Sequence, residues 1–349
     1  MPLHEVVRDI KAKRIAPLYV LFGAETFLME EFVKLLRSEL IDPEYADLNV
    51  SQYDCAETPL SAILQDAETL PFLAEYRLVL AENAFFLTGA KPPAKVDVDT
   101  DELVRYLDEP AGHTAVVLRA NADKLDERKK LVKVLQQKAV VLAFQPLQGA
   151  DLYAWIERRA KQYQARIERP QAMKLVERVG SELRLLDKEL EKMALYTGSQ
   201  DAVITEQVIE LLASRTLEQN VFALVEAVVG GQLNEAFRIL YDCLKTGEEP
   251  IRMLALLARQ VRLLLHVKLW APRGYTQQQL AGMLKVHPYA VKKAMEQARH
   301  FDETGLRRLL GILAEEDFRM KSGQVDKQIA LEVFMTQVAA QLQSAKAGG

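Results

Sequence analysis

The residues at the end of the first apolar run stand where many nucleotide-binding proteins carry a phosphate loop. The run at residues 18–22 (LYVLF) ends at Gly23, and a helical pattern begins a few residues later. A working loop needs several glycines, a lysine for the phosphates and a Ser or Thr hydroxyl for the metal ion. Here one glycine is present, Phe27 and Leu28 replace the lysine and the hydroxyl, and Glu25 would repel a phosphate. The segment therefore predicts a structural turn that binds no nucleotide.

Other patterns typical of catalysis or metal binding are missing from the sequence. It contains no GxSxG, HExxH or CxxC motif, and its five histidines lie far apart. Cys55 and Cys243 are widely separated, which predicts reduced thiols in a cytoplasmic protein. We therefore predict no catalytic residue, no bound metal and no cofactor.

A cluster of large apolar residues lies between two predicted elements, where a polar connector is usual. Leu70, Pro71, Phe72 and Leu73 join a predicted helix to the third predicted strand. Connectors run over the surface, so apolar side chains there escape water only if the domain or a partner covers them. The residues alone leave two alternatives: the cluster covers the edge of the sheet, or it binds another protein.

Positive charge concentrates in the C-terminal third, although the whole chain has a net charge of -4. Residues 251–308 contain 11 Lys and Arg against 3 Asp and Glu. Residues 275–297 also have the apolar spacing of two short helices joined by a turn, as in a helix-turn-helix. The residues alone leave open an anionic partner, sequence-specific reading of DNA, or the solvated faces of an α-bundle.

The order of the apolar patterns predicts an α/β region followed by an all-α region. Short apolar runs alternate with helical stripes up to residue 145, which predicts a mostly parallel sheet covered on both faces. The predicted strands are residues 18–22, 47–53, 77–84, 115–118 and 140–144. The predicted helices are residues 28–40, 58–70, 99–107, 126–137, 151–163, 171–179, 181–197, 205–213, 217–229, 233–245, 250–270, 276–283, 288–300, 302–320 and 325–343. Ser181 is the expected N-cap of one helix and Gly198 its expected stop. No apolar run reaches the ~18 residues of a membrane span, so we expect no membrane contact.

Three segments together resemble the delta-subunit family of the bacterial DNA polymerase III clamp loader. They are residues 17–28 (PLYVLFGAETFL), 185–196 (LLDKELEKMALY) and 317–323 (DFRMKSG), the last followed by Ala-Leu-Glu at 330–332. The resemblance extends over essentially the whole chain. An intact ATP site would be expected in the motor subunits of such an assembly, and a Ser-Arg-Cys motif in its delta prime subunit. The sequence contains neither.

The resemblance implies a fold of the AAA+ type with three domains. A degenerate P-loop domain with a parallel sheet would span residues 1–145 and carry the clamp-binding turn. A small helical lid domain would follow at residues 146–213, and an all-helical collar at residues 214–349 would mediate oligomerisation. The strand order of the sheet is expected by the same analogy.

The resemblance also implies a role for the apolar cluster. In the family, the matching connector enters a hydrophobic pocket of the ring-shaped sliding clamp, the beta subunit. The residues expected to bind the clamp are Leu70, Pro71, Phe72 and Leu73. Binding would open the ring for loading onto primed DNA during DNA replication, while neighbouring subunits hydrolyse ATP. The chain itself would be a non-catalytic part of a nucleotidyltransferase complex.

The remaining partners follow from the same resemblance. The collar would hold the tau/gamma and delta prime subunits. The basic stretch would contact the phosphates of primer–template DNA without reading bases, through Arg259, Lys292 and Lys293. Two other hypotheses stay open, namely an ATPase of AAA+ type and a sequence-specific DNA-binding regulator that uses residues 275–297.

Overall fold

The computed structural model describes residues 3–90, 98–198, 202–213, 215–284, 286 and 288–347. The chain divides into two compact units, one ending at Pro146 and the other beginning at Leu147. The first contains a parallel sheet with helices, and the second is almost entirely helical. The expected fold class, α/β followed by α, is therefore confirmed. A further boundary between a lid and a collar at residue 213 stays a prediction.

The first unit is built on a five-stranded parallel sheet. Its strands are β1 (Leu18–Phe22), β2 (Val50–Asp54), β3 (Arg77–Glu82), β4 (Thr114–Ala120) and β5 (Val140–Ala143). They lie in the order β2-β3-β4-β1-β5, and every neighbouring pair is parallel. The central position of β1 explains its apolar sequence, because a strand buried on both faces has no polar side.

Helices cover both faces of this sheet. They are α1 (Leu3–Lys11), α2 (Thr26–Leu40), α3 (Ala46–Asn49), α4 (Leu60–Ala67), α5 (Thr100–Tyr106) and α6 (Lys130–Lys138). Successive side chains of a strand point to opposite faces. Tyr19 and Leu21 accordingly belong to a core with α1 and α2, whereas Leu18 and Val20 belong to a core with α4, α5 and α6.

The second unit contains eleven α-helices and one very short sheet within the residues described. The helices are α7 (Gly149–Gln162), α8 (Arg169–Val179), α9 (Leu183–Thr197), α10 (Glu206–Leu212), α11 (Leu217–Val229), α12 (Leu233–Lys245), α13 (Pro250–Trp270), α14 (Gln277–Leu284), α15 (Pro288–Gln297), α16 (Glu303–Lys321) and α17 (Lys327–Ala347). The helices from α11 onward share one continuous apolar core. The long central helix α13 contributes to it through residues such as Met253, Leu257 and Leu264.

Several sequence-based boundaries were wrong. No strand was predicted after residue 145, yet β6 (Ala165–Arg166) and β7 (Ala202–Val203) form a parallel pair. Two residues are too few to show the alternation that identifies a strand. The second strand was predicted to begin at residue 47, but it begins at Val50, because the preceding residues form α3. Helix α1 was not predicted at all.

Among the helix ends, two that differ from the prediction and one that agrees with it have a local explanation. The helix predicted to reach residue 70 ends at Ala67, because the residue before Pro71 is biased away from helical geometry. Helix α9 has Glu182 at its N-cap position, without a side-chain cap, so Ser181 does not cap it. Gly198 ends that helix in the left-handed conformation, with φ at 67°, as predicted.

Neither cysteine is placed for chemistry. Cys55 and Cys243 are both free and buried. Burial raises the pKa of the Cys55 thiol to about 12 and also raises that of Cys243. A protonated, buried thiol is a poor nucleophile.

Among the described helices, none is long and apolar enough to cross a bilayer.

Candidate functional site

The turn after β1 uses backbone N–H groups for hydrogen bonds within the protein. The N–H of Gly23 donates to the carbonyl of Ala122 at 2.9 Å, and the N–H of Glu25 donates to the carbonyl of Phe144 at 3.0 Å. The Glu25 carboxylate accepts from the N–H of Phe27 at 3.3 Å and so caps α2. A phosphate loop aims such N–H groups at its ligand. Here they bind the neighbouring strand ends and the helix cap.

Gly23 is required by a close backbone approach. Its φ is 131°, a conformation that L side chains rarely adopt, and a Cβ atom there would lie 1.9 Å from the carbonyl oxygen of Phe144. The N–H of Phe144 also donates to the carbonyl of Phe22 at 2.7 Å. The glycine thus lets the end of β5 pack directly against the end of β1.

A polar network joins the carboxyl ends of β2, β3 and β4. The Asn83 amide donates to Asp54 at 2.8 Å, and the Asn121 amide donates to Asn83 at 2.5 Å. Glu82 pairs with Arg119 at 3.4 Å. Both carboxylates therefore have partners within the protein. Across the residues described, no group of three His, Cys, Asp or Glu could hold a metal ion.

The apolar loop, defined as residues 70–73, leaves its large side chains in solvent. Leu70 is 74% exposed, Phe72 54% and Leu73 70%. Pro71 is only partly buried. Of the two alternatives left by the sequence, covering the sheet edge is thus excluded for the leucines and the phenylalanine. Water contact with three such side chains is unfavourable by roughly 25 cal/mol per Å² of apolar surface, which makes the loop a candidate binding surface.

The backbone of this exposed loop is nevertheless anchored. Asn49 at the end of α3 is fully buried, and its side-chain oxygen accepts from the N–H of Phe72 at 2.7 Å. Its side-chain nitrogen donates to the carbonyl of Phe72 at 2.9 Å and to that of Tyr45 at 3.1 Å. Leu73 has a positive φ of 47°. Sequence analysis missed this anchor, since Asn49 fell inside a predicted strand.

A second anchor closes the stem of the apolar loop. Arg77 at the start of β3 pairs with Asp66 on α4 at 2.5 Å, and both side chains are largely buried. The same guanidinium donates to the carbonyl of Leu48 at 2.9 Å and to the Ser51 hydroxyl at 2.8 Å. Helix α4, the loop and β3 are therefore fixed to the segment around α3. No pattern in the sequence pointed to this arginine.

The three predicted DNA-contacting residues lie in the second unit and differ in their surroundings. Arg259 and Lys292 are exposed. Lys293 lies 3.6 Å from Glu177 and 3.9 Å from Glu296, so its charge is partly neutralised within the chain. Lys292 is thus better placed than its neighbour to meet an external anion.

Arg259 and Lys293 line a cleft of about 990 Å³ within the second unit. Its other charged lining residues carry both signs, and they are Lys174, Glu177, Arg178, Glu182, Glu210, Arg215, Glu218, Glu226 and Arg262. A surface of alternating sign attracts a polyanion less than a continuous basic track does. The lining charges of the cleft therefore do not mark it as a dedicated polyanion site.

The helix-turn-helix pattern corresponds to two real helices, α14 and α15. Residues 285 and 287 of the intervening turn lie outside the described residues. On α15, Val291 and Ala294 are fully buried, and the Tyr289 hydroxyl donates to Glu177 at 3.4 Å. A recognition helix presents one face to the groove of DNA. Much of α15 is instead used in packing within its own unit.

The chain consists of an α/β unit, with a closed phosphate-loop position and an anchored apolar loop, and a helical unit. Together these features define a class of subunit that resembles clamp-loader proteins. Residues 19–145 match the model of the family "DNA polymerase III, delta subunit", and residues 218–338 match that of its C-terminal domain. The chain belongs to the DNA polymerase III delta subunit family and is thus related to a component of the clamp loader.

Individual relatives agree with this assignment. The chain is 40% identical over 334 residues to DNA polymerase III subunit delta of Bacillus subtilis, which covers 96% of both proteins. Its fold is similar to the solved structure of the Bacillus subtilis DNA clamp loader delta protein (YqeN), with a TM-score of 0.80 and 39% identity. That match covers 97% of this chain and 100% of the other.

Proposed function

We propose that this chain is the subunit of a clamp loader that binds the ring-shaped sliding clamp through the apolar loop. The observation that carries the proposal is the exposure of Leu70, Phe72 and Leu73 on a backbone anchored by buried polar groups. A flexible apolar connector would collapse onto its own domain. An anchored one keeps its side chains available for an apolar pocket on a partner.

Binding of this kind would shift the equilibrium of a ring toward its open form. A ligand shifts an equilibrium between a closed and an open form only by its difference in affinity for the two. Two apolar side chains that become buried in the open form each contribute about 1.5–3 kcal/mol. The chain thus acts as a wedge, and clamp opening needs no reaction carried out on this chain.

The energy of ATP would enter through other subunits. The N–H groups of Gly23, Glu25 and Phe27 already bind within the protein, and Phe27 and Leu28 offer neither a cation nor a hydroxyl. This supports a non-catalytic subunit that does not hydrolyse ATP. The tau/gamma and delta prime subunits would assemble with the helices of the second unit. Exposed apolar residues there, such as Phe318 on α16 and Ile329 on α17, support such contacts.

The proposal is tested by binding of the full-length chain to the sliding clamp of the same organism, immobilised on a sensor surface. We expect binding with equal affinity in the absence of nucleotide and in the presence of Mg-ATP. A chain that does not bind the clamp in either condition would refute the proposal.

The alternative of an ATPase gives the opposite result in a simple measurement. We expect equilibrium dialysis with labelled ATP and Mg²⁺ to detect less than about one tenth of a nucleotide per chain. The ATP concentration is about 1 mM, roughly the upper end of ordinary KM values. The physical reason is the missing lysine and hydroxyl and the engaged N–H donors. Stoichiometric, Mg-dependent binding would restore the ATPase hypothesis.

Contacts with primer–template DNA are expected to be electrostatic and blind to sequence. Lys292→Ala and Arg259→Ala should each reduce the slope of log K against log salt by about 1. Lys293→Ala should change the slope less, because Glu177 already pairs with that lysine. Lys161, an exposed lysine on α7 outside the basic stretch, provides the control variant. Fluorescence anisotropy across a salt series measures the slopes.

A regulator that reads DNA sequence would behave differently in the same experiment. It would prefer one duplex over scrambled duplexes by about 1–3 kcal/mol for each base pair that it reads. A footprint on a single sequence would favour that alternative over contacts with phosphates alone.

A further inference from the structure

We propose that Asn49 is a positioning residue for clamp binding. It fixes the backbone at Phe72 so that Leu70, Phe72 and Leu73 are presented to the clamp in one arrangement. The inference rests on the proposed function, because it assigns a role to a residue beneath the same apolar loop. It concerns a buried polar group that makes no contact with the partner itself.

The chemistry of the side chain fits this role. A primary amide offers one oxygen acceptor and two N–H donors on one rigid plane. Asn49 uses the oxygen for the N–H of Phe72 and its nitrogen for the carbonyls of Phe72 and Tyr45. Both backbone polar groups of Phe72, its N–H and its carbonyl, are therefore hydrogen-bonded to Asn49, as they would be to a residue of a neighbouring strand. Because Asn49 is fully buried, water competes little for these bonds.

The gain in clamp affinity comes from a smaller loss of conformational entropy on binding. Fixing the backbone of a residue costs conformational entropy, and a loop that is ordered before binding avoids part of that loss when it binds. Residues 70–73 lie between α4 and β3 and belong to neither element. The amide of Asn49 holds the middle of this connector, while the ion pair between Asp66 and Arg77 holds its stem.

The backbone of the loop carries a second sign of constraint. Leu73 has a φ of 47°, a left-handed conformation that is uncommon for residues other than Gly, Asn and Asp. Such conformations persist where the surroundings fix them, and they cluster at binding and functional sites. The Asn49 bonds act on the residue directly before Leu73. Loss of these bonds should let Leu73 relax and change the direction of its side chain.

The first experiment measures clamp affinity of full-length variants. Asn49→Ala should raise the Kd by about tenfold, which corresponds to ordering roughly one residue at binding. Asn121→Ala is the control, since that amide also donates to a neighbouring side chain in the same unit but lies on the sheet end. It should leave the Kd unchanged. An Asn49→Ala variant that binds like the wild type would overturn the inference.

A combined variant separates positioning from general destabilisation. If Asn49 acts by positioning the three side chains, adding Asn49→Ala to the variant with Leu70→Ala, Phe72→Ala and Leu73→Ala should raise the Kd much less than Asn49→Ala does in the wild-type chain. Independent losses that multiply would contradict the inference. Failure of the wild-type chain to bind the clamp would instead refute the proposed function, so the two failures are distinguishable.

Hydrogen exchange on the free wild-type chain gives a test that needs no variant to fold. The amide of Phe72 should exchange at least about tenfold more slowly than an unprotected peptide amide, although its side chain is exposed. Exchange at the unprotected rate would show that the Asn49 bond does not hold the loop. This outcome counts against the inference even if Asn49→Ala proves too unstable to purify.

Discussion

Replacing Leu70, Phe72 and Leu73 together with alanine is expected to weaken clamp binding by at least about 2 kcal/mol, a Kd roughly thirtyfold higher. The three side chains are among the most exposed large apolar groups of the described chain. Alanine removes most of the apolar area that a pocket could bury while leaving the backbone in place. Each buried side chain of this size contributes about 1.5–3 kcal/mol, so 2 kcal/mol is a lower bound.

The same three changes should leave the fold intact, because exposed side chains contribute little to stability. Leu195→Ala is the matched control, since Leu195 is 75% exposed and lies on α9 of the second unit. Its Kd should equal that of the wild type. Surface binding measures affinity, and circular dichroism checks the fold. Equal affinity of the triple variant and the wild type would disprove the assignment of the loop as the binding surface.

Gly23→Ala is expected to cost the first unit about 3 kcal/mol of stability or more. Two effects add, namely a positive φ that alanine rarely adopts and a Cβ atom 1.9 Å from the carbonyl oxygen of Phe144. Relief requires the end of β5 to move away from β1, which would weaken the bonds of Glu25 and Phe144 across this junction. A unit of this size loses roughly 3 °C of melting temperature per kcal/mol, so a fall near 9 °C is expected.

Gly112→Ala provides the comparison for this variant, because a Cβ atom at Gly112 meets nothing within 4 Å. It should change stability by no more than about 0.5 kcal/mol. Scanning calorimetry measures both variants, and both tryptophans (Trp155 and Trp270) lie outside the first unit, which rules out their fluorescence as its probe. A Gly23→Ala chain that melts with the wild type would show that the junction is not as tight as described.

The fold was largely predictable from local sequence patterns, and the errors of that prediction have local causes. The four long helices from α11 to α13 and α16 were predicted within a residue or two, because a wide apolar stripe repeats over several turns. Strands β6 and β7 are too short for any pattern, and α3 is a single turn next to a strand. The strand order was left to the family analogy and is supplied by the structure, since no local pattern encodes which strands become neighbours.

The candidate site was likewise only partly predictable from the sequence. The missing lysine and hydroxyl at Phe27 and Leu28 were visible as residue types, and so was the apolar composition of residues 70–73. The exposure of those side chains was not, because an apolar connector can equally cover its own sheet. The bonds of Asn49 to Phe72 and of Arg77 to Asp66 join residues that are 23 and 11 positions apart. Such pairs follow from the packing of α3, α4 and β3.

The sequence by itself determined the fold class, the family and the loss of phosphate-binding groups, because each of these depends on residue types at fixed local spacing. Only the tertiary structure decided which apolar residues remain in water and which buried polar groups hold them there. It also distinguished Lys292, which is exposed, from Lys293, which pairs with Glu177. Burial and pairing depend on atoms brought together from distant parts of the chain, and adjacent residues of one type can therefore have different surroundings.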